Sequence, residues 1–131
     1  MKFSAHLQNT ASHHDILLKA GEKQESIAIA PKPTGGSSVS GGELLFLALA
    51  TCYCNDIYRE ANKRGIKVDS VEVEVNGDFE SEGQPASNVT YQAKVKAQAS
   101  DEEILDLLKH TDTVAEIQNT IRKAIPVTLQ V

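Results

Sequence analysis

The segment 40–64 constrains the fold most, because it carries a long and strongly apolar helix signal. Residues 44–50 within it are apolar on nearly every side. Ser40 and Glu43 have the spacing of a capping box, and Gly65 is placed to end the helix in the left-handed conformation. Such a helix spans roughly 35 Å and needs cover on every side. A single sheet in a chain of 131 residues covers one face, so the pattern predicts a second subunit.

Both cysteines of the chain, Cys52 and Cys54, lie on this predicted helix. Residues two apart on a helix point about 200° away from each other, so the two thiols are not placed to form a disulfide. Cys54 shares its face with Leu47 and Ile57, and we expect it in the core. Cys52 shares its face with Asp56, and it is the candidate for chemistry. The alternative is that Cys52 is a small buried hydrophobic side chain, as free cysteines often are.

Charge and hydropathy exclude several classes of partner. Thirteen basic residues stand against eighteen acidic ones, and the net charge of -5 comes with no basic cluster. This balance argues against nucleic acid and anionic membrane. No run approaches the ~18 apolar residues of a membrane span, and the N-terminus lacks a signal-peptide core. With no disulfide framework, we expect a soluble cytoplasmic protein whose partner is a small molecule or a second copy of the chain.

The remaining patterns predict an α+β fold that occupies residues 1–131 as a single domain. Strict alternation and turn residues predict six strands, at residues 3–7, 14–18, 26–30, 68–75, 89–97 and 127–131. The dipeptide Asn76-Gly77 indicates a turn between the fourth and fifth strands. A capping box at Ser100 begins a second helix, and a third is expected over 113–124 with Val114, Ile117 and Ile121 buried.

Specific motifs add a family resemblance to this pattern. A Glu-Leu-Leu helix start is followed by small and aliphatic residues and then Cys52, and the Ser100 helix start and an Asn-Thr-Ile-Arg segment at 119–122 come later. In order and spacing, the chain resembles the OsmC/Ohr family (osmotically inducible protein C and organic hydroperoxide resistance protein). The resemblance implies an OsmC-like fold, with antiparallel sheets packed around a long central helix in an intertwined homodimer.

The resemblance also implies a chemistry and its residues. Members are peroxiredoxin-like redox proteins of the oxidative stress response, and they reduce organic hydroperoxides through a cysteine without a cofactor. Cys52 falls on the peroxide-attacking cysteine, and a dithiol reductant would regenerate it. Gly42 stands at the position of the family's glutamate, so the adjacent Glu43 is the remaining acidic candidate. Ala115 stands where the family has its resolving cysteine.

The chain also differs from the family in the cation expected near the reactive cysteine. The family's activating arginine lies in the N-terminal strands, but this chain has no arginine before Arg59, which leaves a lysine such as Lys19, Lys23 or Lys32 as a substitute. Asp56, one turn from Cys52, is expected to raise the pKa of the thiol. A second hypothesis is therefore a non-catalytic protein that binds a small apolar ligand on the same dimeric fold. His6, His13 and His14 lack a ligand spacing, so no metal site is expected.

Overall fold

The computed structural model describes all 131 residues, Met1–Val131. It has an α+β fold with five strands and three helices. In chain order the elements are β1 (Phe3–Asn9), β2 (His14–Ala20), β3 (Lys23–Ser26), α1 (Gly41–Lys63), β4 (Val68–Asp78), β5 (Ser87–Ala97), α2 (Asp101–Val114) and α3 (Glu116–Arg122). The chain divides into two compact units, Met1–Leu44 and Leu45–Val131. The single-domain organisation stays a prediction.

The first unit contains an antiparallel sheet in the order β1-β2-β3. β1 and β2 confirm the first two predicted strands and continue two residues past each. The third predicted strand, 26–30, is wrong, because β3 covers Lys23–Ser26. Gly21 has a φ of +60°, and the tight turn it makes pairs Lys23 directly with Ala20. The pairing of β2 with β3 therefore begins directly after this turn and ends at the pair Leu17 and Ser26.

Both ends of α1 follow the sequence signals. The Ser40 hydroxyl accepts the backbone N–H of Glu43 at 3.1 Å, and the Glu43 carboxylate accepts the N–H of Ser40 at 2.6 Å. At the other end, Gly65 has a φ of +69° and the Ile66 N–H reaches the Ala61 carbonyl at 2.9 Å. These contacts are the capping box and the left-handed stop that the sequence predicts.

β4 and β5 form an antiparallel pair, as predicted, with Glu72 opposite Lys94. The predicted turn at Asn76-Gly77 is wrong, because both residues lie inside β4 at an irregularity in the register. A Cβ on Gly77 would come within 2.6 Å of the Phe46 ring, so the glycine serves a close packing contact instead of a turn. The connection between the strands lies farther along the chain, after Asp78.

The core of the second unit lies between α1, the β4–β5 pair and α2. Its buried members are Tyr53, Ile57, Ala61, Leu107 and Ala115, and side chains of both strands pack against them. The Tyr53 ring meets the Tyr91 ring edge-on, with 4.7 Å between centroids. This core fixes one face of α1, and it thereby sets the position of the polar side chains on the adjacent face of the helix.

The third helix differs from its prediction. Ala115 is fully buried and has extended backbone angles, so it separates α2 from the short α3. The break changes the helical phase, which places Gln118 inside and leaves Ile121 45% exposed. The predicted strand 127–131 is also wrong: these residues are irregular and exposed, because no strand of the chain pairs with them. No helix has the length and apolarity needed to cross a membrane.

Candidate functional site

Two carboxylates surround the Cys52 thiol. Asp56 follows Cys52 by one helical turn on α1, and its Oδ2 lies 3.5 Å from the Cys52 Sγ. Glu116, the first residue of α3, brings its Oε1 to 3.8 Å from the same sulfur. Cys52 is half-buried, Asp56 is buried and Glu116 is exposed. Either carboxylate can accept the single proton of the thiol, and no cation contacts the sulfur.

Arg59 holds both carboxylates from their far sides. Its Nη1 lies 3.0 Å from Asp56 Oδ1 and 2.9 Å from Glu116 Oε2. These are the oxygens that do not face the sulfur, so the guanidinium fixes the orientation of the two carboxylates toward Cys52. The arrangement joins α1 to the start of α3 and places charged groups from both elements at one sulfur.

Glu60 in turn fixes Arg59. It is buried, and its Oε2 accepts Arg59 Nε at 2.8 Å and Lys63 Nζ at 2.9 Å. The other oxygen, Oε1, is hydrogen-bonded to His110 Nε2 of α2 at 2.8 Å. The hydrogen bonds from Arg59, Lys63 and His110 lower the pKa of Glu60 to about 2. Glu60 is therefore a permanently charged anchor for the guanidinium at neutral pH.

The electrostatics favour the protonated thiol. Burial raises the pKa of Cys52, and Asp56 and Glu116 raise it further, while the backbone N–H of Ile117 acts in the opposite direction. The expectation that Asp56 raises the thiol pKa is confirmed. Burial and a hydrogen bond with Glu116 raise the pKa of Asp56 to about 6. The hydrogen bond with Asp56 and the Arg59 guanidinium hold the pKa of Glu116 below its usual range. Above about pH 6 the site therefore pairs a neutral thiol with two carboxylates.

The other sequence candidates have different surroundings. The Glu43 carboxylate is engaged in the helix cap, and its hydrogen bonds with Ser40 lower its pKa. The prediction that Cys54 lies in the core is wrong, because it is only partly buried and lies outside the core cluster. The reason is that only part of its face of α1 is covered: Ile57 is fully buried, but Leu47 is 59% exposed and Tyr58 is 44% exposed. Both cysteines are free thiols.

Sequence reasoning did not find the residues that complete the site. Arg59 and Glu60 had a detectable signal, since they follow Cys52 by seven and eight positions and share its helix face with Asp56. Glu116 had none, because it is 64 residues from Cys52 and reaches it only through the packing of α3. The thiol and the two carboxylates also place three potential metal ligands within 4.8 Å of one another. The Arg59 guanidinium already supplies positive charge to that group.

The fold and the helix that carries Cys52 match a known family. The sequence pattern of the family described as OsmC-like protein matches residues 34–130. The chain belongs to the OsmC family. This match confirms the resemblance to the OsmC/Ohr family that the Glu-Leu-Leu helix start and Cys52 indicate in the sequence. No curated protein sequence matches the chain.

Solved structures of OsmC-family proteins share the fold at low sequence identity. An OsmC-like protein from Mycoplasma pneumoniae aligns with a TM-score of 0.63 and 15% identity, over 93% of this chain and 89% of that one. An organic hydroperoxide resistance protein OsmC from Legionella pneumophila gives 0.60 and 17%, over 93% and 90% of the chains. The organic hydroperoxide resistance protein OhrB of Bacillus subtilis gives 0.53 and 13%, over 92% and 90%. At these identities the likeness establishes the OsmC fold.

Proposed function

We propose that this OsmC-family protein is a redox protein of the oxidative stress response that reduces organic hydroperoxides through Cys52. The observation that carries the proposal is the contact of the Cys52 sulfur with the Asp56 carboxylate at 3.5 Å. A thiol needs a base to become a nucleophile, and Asp56 is within reach of its proton. Family membership supports the same chemistry, since two structural relatives are described as organic hydroperoxide resistance proteins.

In the proposed reaction, Asp56 removes the thiol proton as the sulfur attacks the terminal peroxide oxygen. An S–O bond forms, the O–O bond breaks, and the terminal hydroxyl stays on sulfur as a sulfenic acid. The leaving alkoxide takes the proton from Asp56 and departs as an alcohol. Sulfur is oxidised by two electrons and the peroxide is reduced by two. The pKa of about 6 at Asp56 suits both proton transfers near neutral pH.

Arg59 and Glu116 assist this step through their contacts with Asp56. Arg59 occupies Asp56 Oδ1 and so leaves Oδ2 directed at the sulfur. Glu116 shares a hydrogen bond with Asp56, which raises the pKa of Asp56 and makes it a better base. Glu43, engaged in the helix cap, is a weaker candidate for a role in the reaction.

Regeneration of the thiol requires a reductant from outside the chain. A first thiol condenses with the sulfenic acid, which forms a mixed disulfide and releases water, and a second thiol then restores Cys52. Cys54 is two residues away on the same helix, where a disulfide with Cys52 would unwind the backbone. A dithiol reductant fits this requirement. The two free thiols also favour a reducing compartment such as the cytoplasm.

The proposal includes a homodimer. Leu45 and Leu47 on α1 are 37% and 59% exposed, and the C-terminal Val127 and Leu129 are 96% and 85% exposed. Apolar side chains exposed in such numbers commonly mark a protein interface. A second copy that covers these residues would satisfy the requirement of a helix that is apolar on nearly every side. Sedimentation velocity of the purified protein tests this, with a monomer as the contradicting result.

A second candidate function is the binding of a small apolar ligand without turnover. The raised pKa of Cys52 favours it, because a protonated thiol is a poor nucleophile. In this case Cys52 is structural, and the exposed apolar side chains of α1 contribute to a binding surface. The two candidates differ in one measurable respect, which is the oxidation of Cys52 by peroxide.

Treatment with one equivalent of cumene hydroperoxide, followed by dimedone trapping and mass spectrometry, tests the proposal. We expect a sulfenic acid adduct on Cys52 in wild type and in Cys54→Ser, and none in Cys52→Ser. With Asp56 as the base, the wild-type rate should rise through about pH 6, whereas the Asp56→Asn rate should rise only as the thiol itself ionises. An absence of adduct on Cys52 would favour the binding protein.

A further inference from the structure

Negatively charged groups outnumber positively charged groups around Cys52. Asp56 and Glu116 bring two carboxylates to within 3.8 Å of the sulfur, and Arg59 is the one guanidinium that contacts both. Arg59 also contacts Glu60, whose charge Lys63 offsets, so at neutral pH one surplus negative charge remains at the thiol. Glu116 supplies the exposed part of it, because its side chain is 61% exposed whereas that of Asp56 is 7% exposed. A molecule that approaches the sulfur from solvent therefore meets the Glu116 carboxylate.

Arg59 has little hydrogen-bonding capacity left for an incoming anion. Each of its nitrogens already donates: Nε to Glu60 at 2.8 Å, Nη1 to Asp56 and Glu116, and Nη2 to the Val114 carbonyl at 3.5 Å. Four of its five N–H groups therefore have an acceptor, and a negatively charged substrate that binds Nε or Nη1 has to displace a carboxylate. It would otherwise approach two carboxylates at close range.

We infer that Glu116 is a specificity-determining residue that makes Cys52 select uncharged electrophiles over anionic ones. This rests on the proposed function where the electrophile is a hydroperoxide: the substrate class is then a neutral alkyl or aryl hydroperoxide, and hydroperoxides with a carboxylate near the peroxide are disfavoured. One unit charge about 4 Å away in water changes an interaction by about 1 kcal/mol, which corresponds to roughly fivefold in rate. That factor is the expected contribution of Glu116.

Alkylation measures this selectivity independently of any peroxidase activity. Iodoacetamide and iodoacetate differ in charge and react with the same thiolate, so the ratio of their rates cancels any change in the thiol pKa. We would measure this ratio at pH 8 in a Cys54→Ser background, relative to the neutral reference thiol N-acetylcysteinamide. We expect the ratio at Cys52 to exceed the reference about fivefold or more, and high salt to reduce the excess.

The Glu116→Gln variant identifies the source of the selectivity. It should lower the rate ratio by about fivefold, since it removes the exposed carboxylate and keeps its shape. Glu80→Gln is the matched control, because it makes the same change of charge in the exposed connection between β4 and β5 and should leave the ratio unchanged. A ratio equal to the reference, or one that Glu116→Gln does not move, would overturn the inference.

The same comparison with hydroperoxides links the selectivity to the proposed function. Cumene hydroperoxide should oxidise Cys52 faster than its para-carboxylate analogue, by less than fivefold because the ring holds that carboxylate farther from the reacting oxygen, and Glu116→Gln should narrow this difference in rate. Equal rates would overturn the inference and leave the peroxidase intact. If alkylation is selective but neither hydroperoxide oxidises Cys52, the proposed function fails and charge selection by Glu116 stands.

Discussion

Two arginine clusters in the second unit differ in their balance of charge. In the Cys52 cluster (Cys52, Asp56, Arg59, Glu60 and Glu116), one guanidinium contacts three carboxylates next to a thiol. In the Asp112 cluster (Tyr91, Asp112 and Arg122), one guanidinium meets one carboxylate at 2.7 Å, and the Tyr91 hydroxyl also donates to that carboxylate.

The comparison separates a structural ion pair from a site with potential chemistry. The Asp112 cluster satisfies its charges locally, and its bonds lower the pKa of Asp112 despite partial burial. In the Cys52 cluster, burial raises the pKa values of Cys52 and Asp56, and the neighbouring carboxylates raise them further. Groups whose pKa values are shifted in this way are candidates for proton transfer. Burial and Asp112 raise the pKa of Tyr91 far above neutral pH, whereas Asp56, beside Cys52, has a pKa of about 6 and can exchange a proton near neutral pH. The difference therefore favours Cys52 over Tyr91 as a reactive group.

Removal of the arginine should destabilise the protein much more in the Cys52 cluster than in the Asp112 cluster, and this is the largest difference we expect between them. Arg59→Met leaves the buried Asp56 without its cationic partner, and we expect the free energy of unfolding to fall by about 3 kcal/mol. Arg122→Met should cost about 1 kcal/mol or less, since Arg122 and Asp112 are 48% and 43% exposed. Urea denaturation of both variants measures the difference. Equal losses would mean that the two clusters are equivalent.

Neutralising one carboxylate in each cluster should affect the thiol in one case only. Asp56→Asn removes a charge that raises the pKa of Cys52, so the thiol should ionise at lower pH than in wild type. Asp112→Asn is the matched variant and should leave the titration of Cys52 where it is. The pH dependence of alkylation by iodoacetamide, in a Cys54→Ser background, reports the thiol pKa. A wild-type titration curve in Asp56→Asn would show that Asp56 does not act on the sulfur.

The stability of the protein should pass through a maximum at mildly acidic pH. Asp56 has its pKa raised to about 6, so its contribution is complete below the unfolded value of ~3.9 and is lost as the pH rises through 6. Glu60 has its pKa lowered to about 2, so its contribution is present above ~4.3 and is lost as the pH falls through 2.

Thermal unfolding from pH 2 to pH 8 measures both limbs of this profile. Asp56→Asn should remove the loss of stability above about pH 4, and Glu60→Gln should flatten the acidic limb. A profile that rises steadily from pH 4 to pH 8 would contradict the raised pKa of Asp56.

A small effect, confined to stability, is expected from the tyrosine of the Asp112 cluster. Tyr91→Phe removes one hydrogen bond to Asp112 and keeps the ring packed against Tyr53, so the free energy of unfolding should fall by about 1 kcal/mol. The alkylation rate of Cys52 should not change. A slower or faster reaction at Cys52 would indicate that the two clusters are coupled through the core.

Local signals account for the parts of the fold that were predicted correctly. The capping boxes at Ser40 and Ser100 and the stop at Gly65 depend on contacts within a few residues, and all three are present. The errors occurred where distant contacts override local preference. Gly77 has turn chemistry but lies in a strand against Phe46, and Ala115 has helix propensity but breaks the helix where it is buried.

The sequence by itself determined that Cys52 lies one turn before Asp56 on a long apolar helix, because helical periodicity places residues four apart on one face. It thereby determined the direction of the effect of Asp56 on the thiol pKa. Only the tertiary structure decided that Glu116 also faces the sulfur and that Arg59 joins the two carboxylates. The break at Ala115 sets the start of α3, and the packing of that helix against α1 is a contact that no local pattern specifies.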